Sequence, residues 1–277
     1  MEFVQHLLDY KFLSNALIIS IVVGIVCGTV GCLIVLRGLS LMGDAMSHAV
    51  LPGVALSFLF NIPMFIGALI TGMIASIFIG FITKNSKTKP DAAIGISFTA
   101  FLAMGIILIS LINSTTDLYH ILFGNLLAVT QSTFWSTIVV GVLVMILIIL
   151  FYRPLMVSTF DPVFSRMSGL NTTITHYFVM LLLSLVIVAS IQTVGIILVV
   201  ALLITPASAA FLIAKKLHTM MIISSLFSTI SAIVGLYFSY LYNLPSGATI
   251  VLCAFLIYIV IFILSKLQIF NKKGQTI

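Results

Sequence analysis

Apolar residues run through this chain in long blocks rather than alternating with polar ones. Blocks near 14–36, 39–60, 63–83, 92–112, 133–152, 173–193, 195–214, 219–241 and 246–265 stand out. Each holds about 20 residues, the length an α-helix needs to cross a hydrocarbon core ~30 Å thick. Short polar turns, such as Asn61-Ile62-Pro63 and Asn243-Leu244-Pro245, or small groups of bases separate most of them. Between 173–193 and 195–214 no charge intervenes, and Gly195, after Gln192-Thr193, supplies the only break. The segment 114–132 is amphipathic and reads as a partial or re-entrant helix, and Glu2–Phe12 reads as a short interfacial helix. The predicted fold class is all-α: a polytopic membrane protein with a bundle of about eight or nine transmembrane helices. It forms a single transmembrane domain over residues 1–277, with an N-terminal segment 1–13, a long loop 153–171 and a C-terminal tail 266–277.

Composition removes the soluble alternative. Of 277 residues 62% are hydrophobic and 6% charged, with a mean hydropathy of +1.34. A soluble fold carries roughly a quarter charged residues because its surface faces water, so this surface faces lipid. The net charge of +6 does not indicate a nucleic-acid partner, because the bases are scattered between apolar runs and form no stripe. Cys27, Cys32 and Cys253 all lie within apolar runs and read as packing residues, not as a disulfide framework. The first residues carry Glu2 and Asp9 in place of a basic cluster, unlike a cleaved signal peptide.

Charge then sets the orientation. Alternating nine spans puts Arg37, Lys84, Lys87, Lys89, Arg153, Arg166, Lys215, Lys216, Lys266, Lys272 and Lys273 on one side and Lys11 alone on the other. Such a bias marks the cytoplasmic face. The C-terminus is expected inside and the N-terminus outside, with Glu2, Asp9 and Asp117 on the outer side. Small residues recur at spacing four, at Gly24 and Gly28 and again at Gly72, Ser76 and Gly80. Such stripes let helices approach closely in lipid, and they predict a tightly packed bundle with a partner subunit.

The informative residues are those that cost most to place. Asp44 lies inside an apolar block, in Gly43-Asp44-Ala45-Met46-Ser47-His48-Ala49-Val50-Leu51-Pro52. An Asp at the centre of a span costs about 2.5–3.5 kcal/mol on insertion scales, and Asp44 lies nearer the cytoplasmic end by count. His48 follows at i+4, on the same helix face. Carboxylate suits manganese, and imidazole suits zinc, iron and copper, so the pair is a candidate site for a divalent transition metal. Two ligands leave the site incomplete, and a homodimer would supply four. The structural alternative is a bridge between neighbouring helices. Ser47 points elsewhere, and Pro52 frees a carbonyl that can kink the helix. Among the other histidines, His120 with Asp117 lies outside and serves docking, metal capture or simple solvation. His176 and His218 sit near cytoplasmic span ends as interfacial groups, and His6 lies in the N-terminal segment.

The loop from Tyr152 to Leu170 is the second informative place. Asp161 suits an N-cap, Pro162 the first helical position and Gly169 the residue past the end. Together they define a two-turn helix with Val163, Phe164 and Met167 on one side. So short a helix needs a surface to dock on, either a partner or the lipid interface. There is no GxxxxGK[ST], HExxH or GxSxG in the chain. A pump driven by ATP would therefore need a separate ATPase subunit.

These residues carry a resemblance that spans nearly the whole chain. The chain is similar to the permease subunit of the bacterial metal-ion ABC importers, which take up manganese, zinc or iron. Its most specific segments are Leu36 to Gly53 and Thr193 to Ala207, with the 160–169 loop where such permeases carry a coupling helix. It looks most like the manganese branch of Gram-positive bacteria. The resemblance implies a multi-pass permease of the bacterial cell membrane, working as a homodimer with a cytoplasmic ABC ATPase dimer and an extracellular metal-binding lipoprotein. It places Asp44 and His48 on the transport path of Mn2+, with Zn2+ or Fe2+ as alternatives. It places Phe160, Asp161, Val163, Phe164, Arg166, Met167 and Gly169 in the coupling helix. ATP would bind to the partner, and the chain itself would be no enzyme and hold no cofactor. Two other readings stand beside it: a gradient-driven cation transporter, and an intramembrane enzyme using Asp44 as acid or base.

Overall fold

The computed structural model describes residues 10–111, 126 and 129–273, with the side chains of Lys84 and 268–273 left aside. The amphipathic segment 114–132 falls mostly outside the described residues, as do His6, Asp117 and His120. Twelve helices and no strand occur among the described residues. They are α1 (Lys11–Leu36), α2 (Ser40–Ala49), α3 (Leu51–Phe60), α4 (Met64–Asn85), α5 (Pro90–Leu111) and α6 (Gln131–Leu150). After them come α7 (Tyr152–Phe160), α8 (Pro162–Met167), α9 (Thr172–Val194), α10 (Ile196–Ile213), α11 (Leu217–Tyr242) and α12 (Ser246–Lys273). Taking α2 and α3 together, nine described segments are long and apolar enough to cross a membrane.

The block 39–60 is one candidate span, as expected, and the fold departs from the sequence expectation at two other places. The kink expected from Pro52 divides that span at Val50 into α2 and α3, with Pro52 in the first turn of α3. Proline lacks the N–H that a continuous helix would need there. Much of the loop 153–171 is helical, because Pro154 sits in the first turn of α7, where its missing donor costs nothing. Finally, α12 runs on through Lys273, into the segment expected as a tail. The break between the two spans joined without a charge is at Gly195, with φ 79° and ψ 164°. Only glycine populates that region freely, so the chain turns there without any polar loop. The turns after α3 and α11 end differently: Asn61 and Asn243 both take the left-handed conformation at φ 51°, and a proline follows each two residues on.

Helix α1 is the mast of the bundle and packs most extensively on α11 and α10. The small residues explain how. A Cβ at Gly24 would meet Ser228 at 3.3 Å, and one at Gly28 would meet the Ser224 carbonyl at 3.0 Å. Ser224 donates to the Gly28 carbonyl at 2.8 Å, and Ser225 to that of Ile25 at 3.2 Å. Gly72 lies against Ser184 and Gly80 against the Tyr177 ring, both on α9. Both stripes are thus used within the chain, not against a partner. Close approach plus hydroxyl hydrogen bonds is how helices associate where lipid removes the hydrophobic drive. Outward faces carry large apolar groups, such as Ile146 and Ile149 on α6 and Leu252, Phe255 and Leu256 on α12.

At Gly31 a Cβ would overlap the carbonyl oxygen of Leu203 on α10, three residues before Pro206. Backbone cannot give way as a flexible side chain can. Gly31→Val is expected to destabilise the protein by about 1–3 kcal/mol, read as a lower thermal midpoint of the purified protein. Gly95→Ala, where nothing lies within 4 Å of a Cβ, should leave that midpoint unchanged or raise it. Equal midpoints for native protein and Gly31→Val would show that α1 and α10 do not pack as described.

Candidate metal-path site

Helix α2 is buried on most of its surface. Met42, Gly43, Ala45, Met46, Ser47 and Ala49 are all covered. One narrow stripe stays open: Leu41, Asp44 and His48, at helical spacing i, i+3 and i+7. The Asp44 side chain is 52% exposed and that of His48 23%. The sequence reading found the pair but not Leu41, whose place on this stripe follows from the same periodicity.

The pair is within reach of one ion. His48 Nε2 lies 3.7 Å from Asp44 Oδ1, and an ion about 2.0–2.2 Å from each donor spans such a gap. Packing sets the imidazole's direction: its ring stands edge-on to Phe98 of α5, centroids 5.1 Å apart. Its Nδ1 is buried without a hydrogen-bond partner, so the accessible nitrogen is the one beside Asp44. Ser47 turns away, buried and donating to the Gly43 carbonyl at 2.9 Å. Among the described residues, no third His, Cys, Asp or Glu joins the pair. One chain therefore offers two donors, fewer than the four or more a first-row divalent ion takes.

The open stripe faces a cleft of about 550 Å³ against α10. Ile196, Ile197, Val200, Ala201, Ile204 and Thr205 form its other wall. These residues belong to the half of α10 remote from Lys215, and Gly43 lies against Leu203. The pair is thus deeper in the bundle than its count from Arg37 indicates. The α10 segment carries the resemblance, but the sequence reading gave it no part in the site. A continuous apolar run does not reveal which face is open.

At the end of the bundle that gathers Arg37, Thr83, Pro90 and Thr172, the short helix α8 forms as its caps predict. Asp161 Oδ1 accepts the Phe164 N–H at 2.8 Å, and Pro162 occupies the first turn. Gly169, at φ 78°, ends the helix: its N–H reaches the Arg166 carbonyl at 3.1 Å, and Leu170 N–H that of Ser165 at 3.0 Å. This double bond pattern is a Schellman stop. Phe160, Val163, Phe164 and Met167 are all exposed, Met167 at 82%, whereas Ser165 is buried. Arg166 turns back and donates from Nε to Thr172 Oγ1 at 3.2 Å. Six residues thus present an apolar outer face on a helix pinned at both ends.

Nine apolar spans among the described residues, a carboxylate–imidazole pair on a cleft beside α10 and a capped apolar helix at one end define a multi-pass transport protein of the membrane. The family comparison makes this specific: residues 9–265 match the ABC 3 transport family, and the chain belongs to it. It is 54% identical over 279 residues, all of both chains, to the manganese transport system membrane protein MntC of Listeria monocytogenes. It is 51% identical to the manganese import system permease protein ScaB of Streptococcus gordonii, with 98% of each chain covered. A chain in the solved structure of PsaBC from Streptococcus pneumoniae in complex with Fab superposes with a TM-score of 0.86. That chain is 49% identical, and the match covers 94% of both.

Proposed function

We propose that this chain is the permease of an ATP-driven importer of manganese, and that Asp44 and His48 hold the ion on its way. Relatives at 51–54% identity bear manganese-transport names, which supports manganese over zinc or iron. The observation that carries the site is the open stripe of α2. A spanning helix does not present an Asp to lipid, so this face lies on an aqueous path or against a second copy of the chain. Two copies about a shared axis bring together two carboxylates and two imidazoles, and so complete a coordination sphere. Oxygen with nitrogen donors, and no thiolate, suits manganese and holds it loosely enough for release.

The positive-inside bias puts α8 in the cytoplasm, with the C-terminus inside and the N-terminus outside. There Val163, Phe164 and Met167 form a docking face for an ABC ATPase dimer, which supplies the P-loop this chain lacks. Phe160 and Arg166 flank that face, and Asp161 and Gly169 fix its ends. ATP-driven closure of that dimer moves α8 and α7, and through them the α1–α2 corner, because Arg37 donates to Ser158 at 2.9 Å and to Thr159 at 3.1 Å. An extracellular metal-binding lipoprotein delivers the ion to the outer mouth. The docking face has no purpose in a gradient-driven carrier, and among the described residues no third His, Cys, Asp or Glu stands with the Asp44–His48 pair to complete an intramembrane catalytic set.

Manganese uptake by cells carrying Asp44→Asn with His48→Ala is expected to fall to background while the complex still assembles with its ATPase. Undiminished uptake would remove the pair from the path. Loss of zinc uptake, with manganese import intact, would keep the site and change its ion. Phe164→Ala is expected to lower metal-stimulated ATP hydrolysis of the assembled complex several-fold, without loss of metal binding. Unchanged hydrolysis would contradict the docking role of α8.

A further inference from the structure

A second cavity, of about 520 Å³, opens at the end of the bundle beside α8. Leu36, Thr83, Pro90 and Thr172 line it, and each is the terminal residue of a membrane span. The cavity therefore lies at the depth of the lipid headgroups. Its polar wall is entirely basic or neutral: Arg37, Arg166 and His176, with the hydroxyls of Ser158, Thr159 and Thr172, and no carboxylate. Among the described residues the only ion pair is that of His48 with Asp44, so neither guanidinium has an acidic partner. The acids nearest in sequence do not line the cavity, and Asp161 is engaged by the Phe164 N–H. Arg37 is half-buried, and burial brings its pKa down to about 10, so it stays charged near neutral pH. It bonds two neutral hydroxyls, an arrangement that leaves its charge uncompensated in a partly desolvated place. Such a charge calls for a counter-anion, and a guanidinium fork matches phosphate oxygens.

We propose that this cavity binds the phosphate headgroup of an anionic phospholipid of the inner leaflet, between Arg37 and Arg166. Basic pockets between spans on the cytoplasmic side hold such headgroups. Arg166 belongs to α8 and Arg37 caps α1, two residues before the corner that leads to α2. A bound headgroup thus bridges the docking helix and the corner next to the metal path, and stabilises one arrangement of the two. The proposal rests on the chain's reading as a membrane permease and its cytoplasmic sidedness, but not on which metal it carries.

The test is native mass spectrometry of the detergent-solubilised complex of permease and ATPase, titrated with phosphatidylglycerol or phosphatidylcholine. No metal is added, so a failure of the manganese reading leaves this result standing. Native complex is expected to retain phosphatidylglycerol in preference to phosphatidylcholine. Arg37→Gln and Arg166→Gln should each weaken that retention roughly tenfold, with Arg37→Lys losing less. The paired Lys87→Gln and Lys89→Gln change, on exposed residues outside the cavity, should leave it intact. If Arg37→Gln does not fold, the exposed Arg166 decides alone. Retention that persists in millimolar inorganic phosphate assigns the site to lipid, and displacement by phosphate assigns the same chemistry to the free anion. Equal retention in both arginine variants, or equal loss in the lysine pair, overturns the proposal. So does loss of the ATPase from the arginine variants while phosphatidylglycerol stays bound, since the cavity would then hold a carboxylate of the partner.

Discussion

A carboxylate on the open face of a spanning helix is the constraint around which this protein is arranged. Asp44 is too costly to leave facing hydrocarbon, and among the described residues its one ion-pair neighbour is the imidazole of His48, 3.7 Å away. Off the stripe, every position of α2 except the terminal Ser40 is buried, which fixes the helix's rotation and holds the stripe toward the cleft. Because Phe98 sets the ring of His48, the donors are presented by packing and not by a hydrogen-bonded second layer. The proposed site is firm in geometry and sparing in ligands. Transport asks for both, since an ion must be recognised and then released.

The rest of the bundle keeps α2 in place and joins it to the end that carries α8. Helix α1 is locked to α10 and α11 by glycines whose missing side chains let backbone meet backbone. It ends one turn before α2 begins, and Arg37 at that corner is bonded to the last turn of α7. At Val50 the span bends from α2 into α3 while helical hydrogen bonds continue across it, from Val50 N–H to the Met46 carbonyl and from Val54 N–H to that of Val50. The Arg37 corner borders the basic cavity, so the proposed metal path, docking helix and headgroup site share one junction.

Much of this was legible in the sequence, and the exceptions have physical causes. The spans were plain because lipid-facing helices are apolar all round, and Gly195 was legible as a break because glycine alone tolerates its conformation. The caps of α8 were equally plain: Asp161, Pro162 and Gly169 each do locally what their side chains dictate. The Asp44–His48 pair announced itself by cost and spacing. Its cleft did not, because Ile196 to Thr205 read as an unbroken apolar run and only packing shows which side is open. Helix α7 was hidden because Pro154 reads as a breaker unless it falls in a first turn. The basic cavity was hidden too. Its arginines are 129 positions apart in the chain, and only the fold brings Arg37, Arg166 and His176 to one wall.

The central claim, that Asp44 and His48 bind the transported ion, is tested most directly by pulsed electron–nuclear double resonance on Mn2+ bound to the assembled complex. The account predicts a nitrogen hyperfine coupling from a directly bound imidazole, lost in His48→Ala, and loss of the bound Mn2+ signal in Asp44→Asn. A Mn2+ signal without nitrogen coupling, or one identical in all three proteins, would contradict it.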